Sequence, residues 1–250
     1  MGDGAFMDNN KKEFNKIVSR YIKNDYEFSD KLGHNYKNLG DEVYEIVKIK
    51  IINHEIKPGE RIIDKNLAED LGVSRSLVRQ ALTILEKENL VESIPRSGFY
   101  VKEIREKDVI EIYEIRKILE KAATEKAVEK IPKKDIEELD KIFKDAKKDL
   151  DKDKVEQFIK ADNKLHRVII NNCGNEKLIE LINSYNTHIT FYRVADLSRV
   201  ERSKEAYFEH LEIFKAVKKR DVTKTVELMG AHIENAKNII IENFYDYTYK

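Results

Sequence analysis

KPGERIIDKNLAEDLGVSRSLVRQAL, residues 57–82, is the stretch that decides the N-terminal fold. Its Pro58-Gly59 pair is a turn signal. It closes a helical pattern that begins at Asp41 and carries Val43, Ile46, Val47, Ile49 and the run 50–52. Arg61-Ile62-Ile63 is short and apolar enough for a strand. Asp64 reads as the N-cap of a compact helix over 65–71 that Gly72 stops. Ser74 caps the next helix, which runs to about Asn89, a residue type that tolerates the left-handed conformation just past a helix end. Leu90-Val91-Glu92-Ser93 and Phe99-Tyr100-Val101, joined through Pro95-Arg96-Ser97-Gly98, read as a β-hairpin. Helix, turn, helix, hairpin is the order of a winged helix-turn-helix.

Val78, Ala81, Leu82 and Leu85 form the apolar stripe of the second helix, so Arg75, Ser76, Arg79, Gln80 and Thr83 face away from it. Arg75 and Arg79 are four apart and share a face near the N-terminal end, where a recognition helix approaches base edges. Guanidinium forks can take guanine or clamp phosphate, and Ser74 and Ser76 can reach phosphate oxygens. Arg96, at the hairpin tip, suits a wing that touches backbone or minor groove. Charge adds little: over residues 73–102 five basic residues face three acidic ones. A Ser-capped amphipathic helix with two surface arginines is also common on proteins that never meet DNA. The order of elements makes the case.

The full 250 residues allow two modest domains, each with its own core. A charged content of 38% with only 9 Gly and 3 Pro favours long, solvated helices. Formal net charge is zero, so any nucleic-acid surface must be a local patch. Residues 1–37 form an N-terminal extension in which Phe14, Ile17, Val18, Tyr21 and Ile22 have the spacing of a short docking helix, and Met7 can serve as the natural start. Residues 38–103 are the winged module. Beyond a charged segment at 105–107, residues 108–246 carry almost unbroken helical periodicity, with helices expected near 108–130, 133–150, 153–172, 175–195, 199–219 and 221–243. Short connections between long helices predict an antiparallel bundle. The expected fold is therefore mainly α: an N-terminal winged helix-turn-helix (α/β) followed by a C-terminal antiparallel all-α bundle. The single cysteine, Cys173, cannot close an intramolecular disulfide, and no apolar run is long enough for a bilayer. A cytoplasmic protein without a membrane partner is the expectation.

The bundle holds most of the chain's polar chemistry. Asp162 and His166 are four apart on one helix and share a face, while His210 and His232 lie on two later helices. A bundle can bring all four to one interior point, and one carboxylate with three imidazoles suits a divalent ion such as zinc, nickel or manganese. Helical histidines are also often plain surface or core residues. Arg116 sits among Ile112, Ile115 and Leu119, and it reads either as an ion-pair partner of Glu120 or as a clamp for a carboxylate. Cys173, beside Gly174-Asn175, reads as a buried small residue.

Residues 38–103 resemble the DNA-binding domain of GntR-type regulators. The match is carried by Val43-Tyr44-Glu45, Ile52, Lys57-Pro58-Gly59-Glu60-Arg61-Ile62, Leu67-Ala68-Glu69, Leu71-Gly72-Val73-Ser74-Arg75, Val78-Arg79, Ala81-Leu82, Leu85, Leu90-Val91 and Gly98. The resemblance implies that Arg75 and Arg79 contact operator DNA, with Ser74, Ser76 and Gln80 on the same surface. Lys65 assists from the preceding helix, and the tip at Arg96 and Gly98 enters the minor groove. Leu77 departs from the pattern where Pro is frequent, as do His54 and Asn89 where Gly is frequent. Residues 108–240 resemble the FCD effector domain of the FadR branch, through Ile112-Tyr113-Glu114-Ile115-Arg116-Lys117-Ile118-Leu119-Glu120, Asp162-Asn163-Lys164-Leu165-His166, Cys173-Gly174-Asn175, His210-Leu211-Glu212-Ile213 and Met229-Gly230-Ala231-His232-Ile233. That resemblance places metal ligands at Asp162, His166, His210 and His232. It favours Arg116 as the contact for a small organic acid, with Arg193 as a second contact.

Together these resemblances imply a ligand-responsive bacterial transcription regulator, a repressor, that binds operator DNA as a homodimer and is modulated by a small acid at a metal site. A direct divalent-metal sensor is the alternative. A metal-dependent enzyme is a more distant one, because the sequence offers no nucleophile–base pair or phosphate-cradling loop.

Overall fold

The computed structural model describes residues 38–197 and 200–242, without the side chains of 194–197. These residues divide into two compact units, 38–104 and 105–242. The docking helix expected within 14–22 lies outside the described residues.

In the first unit, α1 (Leu39–Ile52) begins on a capping box. Asn38 Oδ1 accepts from the Asp41 N–H at 3.0 Å, and the Asp41 carboxylate accepts from the Asn38 N–H at 3.2 Å. Val43, Val47, Ile51 and Ile52 are its buried apolar residues, and its main packing partner is α3 (Arg75–Lys87). The stripe of α3 is the one its periodicity dictates: Val78, Ala81, Leu82 and Leu85 are buried, and Ser74 Oγ accepts from the Leu77 N–H at 3.3 Å to cap the helix. Before it, α2 (Asp64–Leu71) ends at Gly72, whose φ of +65° a side chain would oppose. Strands β1 (Arg61–Ile62), β2 (Val91–Ile94) and β3 (Gly98–Val101) form an antiparallel sheet in the order β1-β3-β2. The hairpin thus gains a third strand, with Arg61 opposite Tyr100 and Ile62 opposite Phe99. His54 and Asn89, the two residues at positions where Gly is frequent, both adopt left-handed backbone, at φ +56° and +57°.

The N-cap expected at Asp64 is not formed: Ile63 holds the cap position, Asp64 is the first helical residue, and no side chain bonds the helix start. The Asp64 carboxylate turns instead toward α3, as described below.

The described residues of the second unit form α4 (Glu106–Ala127), α5 (Lys133–Leu150), α6 (Glu156–Asn171), α7 (Glu176–Leu197), α8 (Val200–Lys218) and α9 (Val222–Glu242). Helix α4 packs on α6, α7 and α9, while α8 packs on α5, α6 and α9. An aromatic cluster fills one part of the core: Phe143 stacks on Phe214 with centroids 5.1 Å apart, and Tyr207 lies 6.0 Å from Phe143 and 6.3 Å from Phe158. Cys173 is buried, as expected of a small core residue. The Arg220 guanidinium donates to the carbonyls of Val128 and Ile131, which satisfies acceptors just past the end of α4. Among the described residues no helix is long and apolar enough to cross a membrane.

Phe143 is 2% exposed, so Phe143→Ala should lower stability by about 3–5 kcal/mol, because the cavity cannot fully collapse. Urea unfolding followed by circular dichroism measures it.

Candidate metal centre and DNA-facing helix

Helices α6, α8 and α9 each send polar side chains into the bundle core. Asp162 and His166 come from α6 at the i, i+4 spacing, His210 from α8 and His232 from α9. All four are buried, and one ligand atom from each lies within 4.8 Å of the others. The imidazole pairs 166–210, 166–232 and 210–232 have ring centroids 5.4, 5.5 and 4.2 Å apart. Phe158 meets His210 edge-on at 5.6 Å and walls the cluster with an apolar ring.

Each imidazole is oriented by a hydrogen bond on Nδ1. His166 Nδ1 faces Glu120 Oε2, His210 Nδ1 faces the Ala206 carbonyl, and His232 Nδ1 faces Glu209 Oε2, each at 2.6 Å. Those partners are acceptors, so a proton on Nδ1 satisfies each of them and turns Nε2 toward the other ligands. His166 Nε2 and His210 Nε2 are then 3.3 Å apart, and Asp162 Oδ1 is 2.6 Å from His210 Nε2. With Nδ1 protonated, the Nε2 lone pairs and Asp162 Oδ1 converge on one point, an arrangement that a cation satisfies. By donor type, spacing and oriented outer hydrogen bonds, the cluster fits a metal ion.

The surrounding charges favour the same state. Burial, and after it the Glu120 and Arg116 charges, act on His166, with the net effect of pushing its pKa down. His232 is pushed well down, first by burial and then by His210 and His166. For Asp162, burial disfavours the charged form, yet Arg193 with His210 and His166 holds the carboxyl well below its usual range. Glu120 is likewise held low against its burial, by Arg116 and His166. Imidazoles drawn toward the neutral form at His166 and His232, beside ionised carboxylates, suit a divalent ion.

Three guanidiniums surround the cluster. Arg116 Nε donates to Glu120 Oε1 at 2.6 Å, so the ion pair read from the i, i+4 spacing is present. Arg116 Nη1, also buried, has no hydrogen-bond partner. Arg193 Nη2 donates to Asp162 Oδ2, the oxygen facing away from His210. Arg202, 5% exposed, pairs with Glu209 at 3.5 Å. Arg193, expected as a second effector contact, therefore grips a candidate metal ligand.

In the first unit, Arg75, Ser76, Arg79 and Gln80 are exposed on α3, and Arg96 and Gly98 are exposed at the wing. Arg96 holds the turn with φ +66°. Ser74 is exposed too, with an oxygen lone pair engaged in the cap. Lys65 projects from α2 with 71% of its side chain exposed, 3.8 Å from Glu69. Arg75 and Arg79 do not stand free. Asp64 Oδ1 accepts from Arg75 Nε at 2.9 Å and Asp64 Oδ2 from Arg79 Nη1 at 3.0 Å, and the Arg79 guanidinium lies over the Phe99 ring at 5.5 Å.

Both units match known families. Residues 39–101 match the model of bacterial regulatory proteins of the gntR family, and residues 111–235 match the FCD domain. The chain belongs to the GntR family of transcription regulators. This GntR regulator is 31% identical over 206 residues to the uncharacterized HTH-type transcriptional regulator YdhC of Bacillus subtilis (strain 168), across 80% of this chain and 92% of that one. The structure of E. coli McbR/YncC superposes with a TM-score of 0.68 at 25% identity, over 84% of this chain and 100% of that one. A putative GntR regulator from Rhodococcus sp. RHA1 shares the fold, with a TM-score of 0.67 at 20% identity over 81% of this chain and 97% of that one. The family and these relatives are transcription regulators and not enzymes, and a GntR helix-turn-helix implies DNA binding.

Sequence reading missed Glu209, Arg202 and the second contact of Glu120. Glu209 adjoins His210 in the chain, but nothing in the spacing shows that its carboxylate reaches across to α9. Asp64 was visible only as a helix-start acid.

The Arg193–Asp162 pair yields a test that needs no ion. In metal-free protein, Arg193→Met should destabilise the fold by about 3–5 kcal/mol, because it leaves a buried carboxylate unpaired. Adding Asp162→Asn should recover most of that loss in the same urea titration.

Proposed function

We propose that this regulator is a homodimeric, cytoplasmic repressor whose operator binding is relieved by a small organic acid held at a metal site in the FCD domain. Charge balance in the bundle is the observation that carries the sensing half. Asp162 pairs with Arg193, Glu120 with Arg116 and Glu209 with Arg202. These three carboxylate–guanidinium pairs balance one another before any ion enters. A divalent ion such as zinc, nickel or manganese, held by Asp162, His166, His210 and His232, would supply positive charge and open coordination for a carboxylate. Arg116 contributes the buried Nη1 donor that completes an anion clamp.

The DNA half rests on α3 and the wing. Arg75, Arg79 and Gln80 take base edges, Ser74, Ser76 and Lys65 take phosphates, and the tip at Arg96 and Gly98 enters the minor groove. Two copies address the half-sites of a pseudo-palindrome. To regulate, the acid must bind the DNA-competent and DNA-incompetent conformations with different affinity.

Against the duplex that wild-type protein enriches from a randomised pool, Arg79→Ala should weaken binding roughly 10- to 100-fold, the range of one lost bidentate base contact. Unchanged affinity in a gel shift overturns the assignment of α3. For the bundle, chelator-stripped protein should take one divalent ion per chain in a chelator-competition titration, and His166→Ala should lower that affinity at least tenfold. Thermal shift against a panel of carboxylic acids should respond only in metal-loaded protein. If metal alone releases the duplex and no acid adds to it, the protein is a direct metal sensor.

A further inference from the structure

From the geometry of α2 and α3 we infer that Asp64 is a positioning residue for DNA recognition: a single carboxylate that presents Arg75 and Arg79 to the duplex as one preset unit. The inference rests on the reading of those arginines as DNA contacts.

The two arginines are one turn apart on α3, with side chains 61% and 56% exposed. Left alone, two such side chains sample many rotamers and repel each other, and ordering both on DNA opposes binding. Asp64 removes both problems from a different helix. Its side chain is only 11% exposed and offers one oxygen to each guanidinium, at 2.9 and 3.0 Å. Packing of Arg79 over Phe99, on the strand that follows the wing tip, fixes that side chain from another side. The bonds use Nε of Arg75 and one Nη1 proton of Arg79, so the Arg75 Nη groups and the Arg79 Nη2 stay available for bases or phosphates. The Arg75 and Arg79 charges hold the Asp64 carboxyl below its usual range, although burial works the other way. Asp64 is therefore ionised at neutral pH.

A carboxylate on a phosphate-facing surface also carries a general cost. It repels every duplex alike, specific or not. Its value must lie in discrimination, because a preset geometry helps only where base edges match it. An acid placed merely to lower overall affinity would act equally on all sequences.

The experiment compares wild type with Asp64→Asn in the full-length protein. Each is titrated against the pool-enriched duplex and an unrelated duplex of equal length, with circular dichroism confirming that both proteins are folded. Asparagine is the same size but can accept from only one arginine and turns an N–H₂ toward the other. Affinity for the enriched duplex should fall about tenfold, the scale of a damaged base contact. Affinity for the unrelated duplex should hold or rise, because one repelling charge has gone. Asp64→Glu, which keeps the charge on a longer arm, should restore the unrelated-duplex affinity to wild type while discrimination stays low. Equal tightening on both duplexes overturns the inference and leaves Asp64 as a simple repelling charge; equal weakening, or no change, overturns it as well. Arg79→Ala separates the two levels. If that variant binds the enriched duplex as wild type does, the DNA-contact reading fails; if it binds weakly but Asp64→Asn keeps full discrimination, only the positioning role fails.

Discussion

The helical bundle closes only if the charges buried in its core balance one another. Moving an ion from water into a protein core is opposed by several kcal/mol, and only a close partner with good hydrogen bonds offsets it. Asp162, Glu120, Arg116 and Arg202 all lie at 5% exposure or less, so each must find its partner or the helices cannot close. The pairs bind helix to helix: Arg193 on α7 to Asp162 on α6, Glu120 on α4 to His166 on α6, and Glu209 on α8 to His232 on α9. These contacts specify how the helices face one another. The apolar residues around them, Phe143, Phe158, Leu165 and Ile233 among others, supply the burial that makes closure favourable.

The winged unit follows the opposite logic. Its core is mostly apolar, filled by Val78, Leu82, Leu85 and Leu90 among others, with the buried Lys48 paired to Glu88, and its DNA-facing chemistry is on the surface. There the Arg75 and Arg79 guanidiniums are more than half exposed, so water screens much of what their pairing with Asp64 contributes to stability. Asp64 with Arg75 and Arg79 is thus poorly explained as a stabilising device and better explained as an ordering one. Zero net charge on the chain is compatible with this, because recognition depends on where a few guanidiniums are held.

Chain connectivity joins the two chemistries. Strand β3 ends at Val101 and α4 begins at Glu106, so four residues separate the wing from the helix that carries Arg116 and Glu120. A change in how α4 is held by its polar partners has a short covalent route to the DNA-binding unit. Under the proposed function, regulation through that route requires a ligand that favours one conformation over another.

The secondary-structure elements and their order can be read along the chain. Helical periodicity located six bundle helices, α5 at its observed bounds and the others within a few residues. The Gly72 and Ser74 signals located the turn and cap of the helix-turn-helix, and His54 and Asn89 took left-handed backbone where Gly is frequent. Such features are local, governed by backbone sterics and by apolar spacing along one helix, so they can be read along the chain. Asp162 and His166 were legible as a pair for the same reason. The tertiary structure alone decided which groups meet across helices: that His210 and His232 join that pair, that Glu120 and Glu209 orient the imidazoles, that Arg193 grips Asp162, and that Asp64 leaves the helix cap for two arginines. Those contacts depend on helix rotation and axial offset, which are set by the packing of whole faces. A shift of one residue along a helix, about 100° of rotation, would send any of them elsewhere.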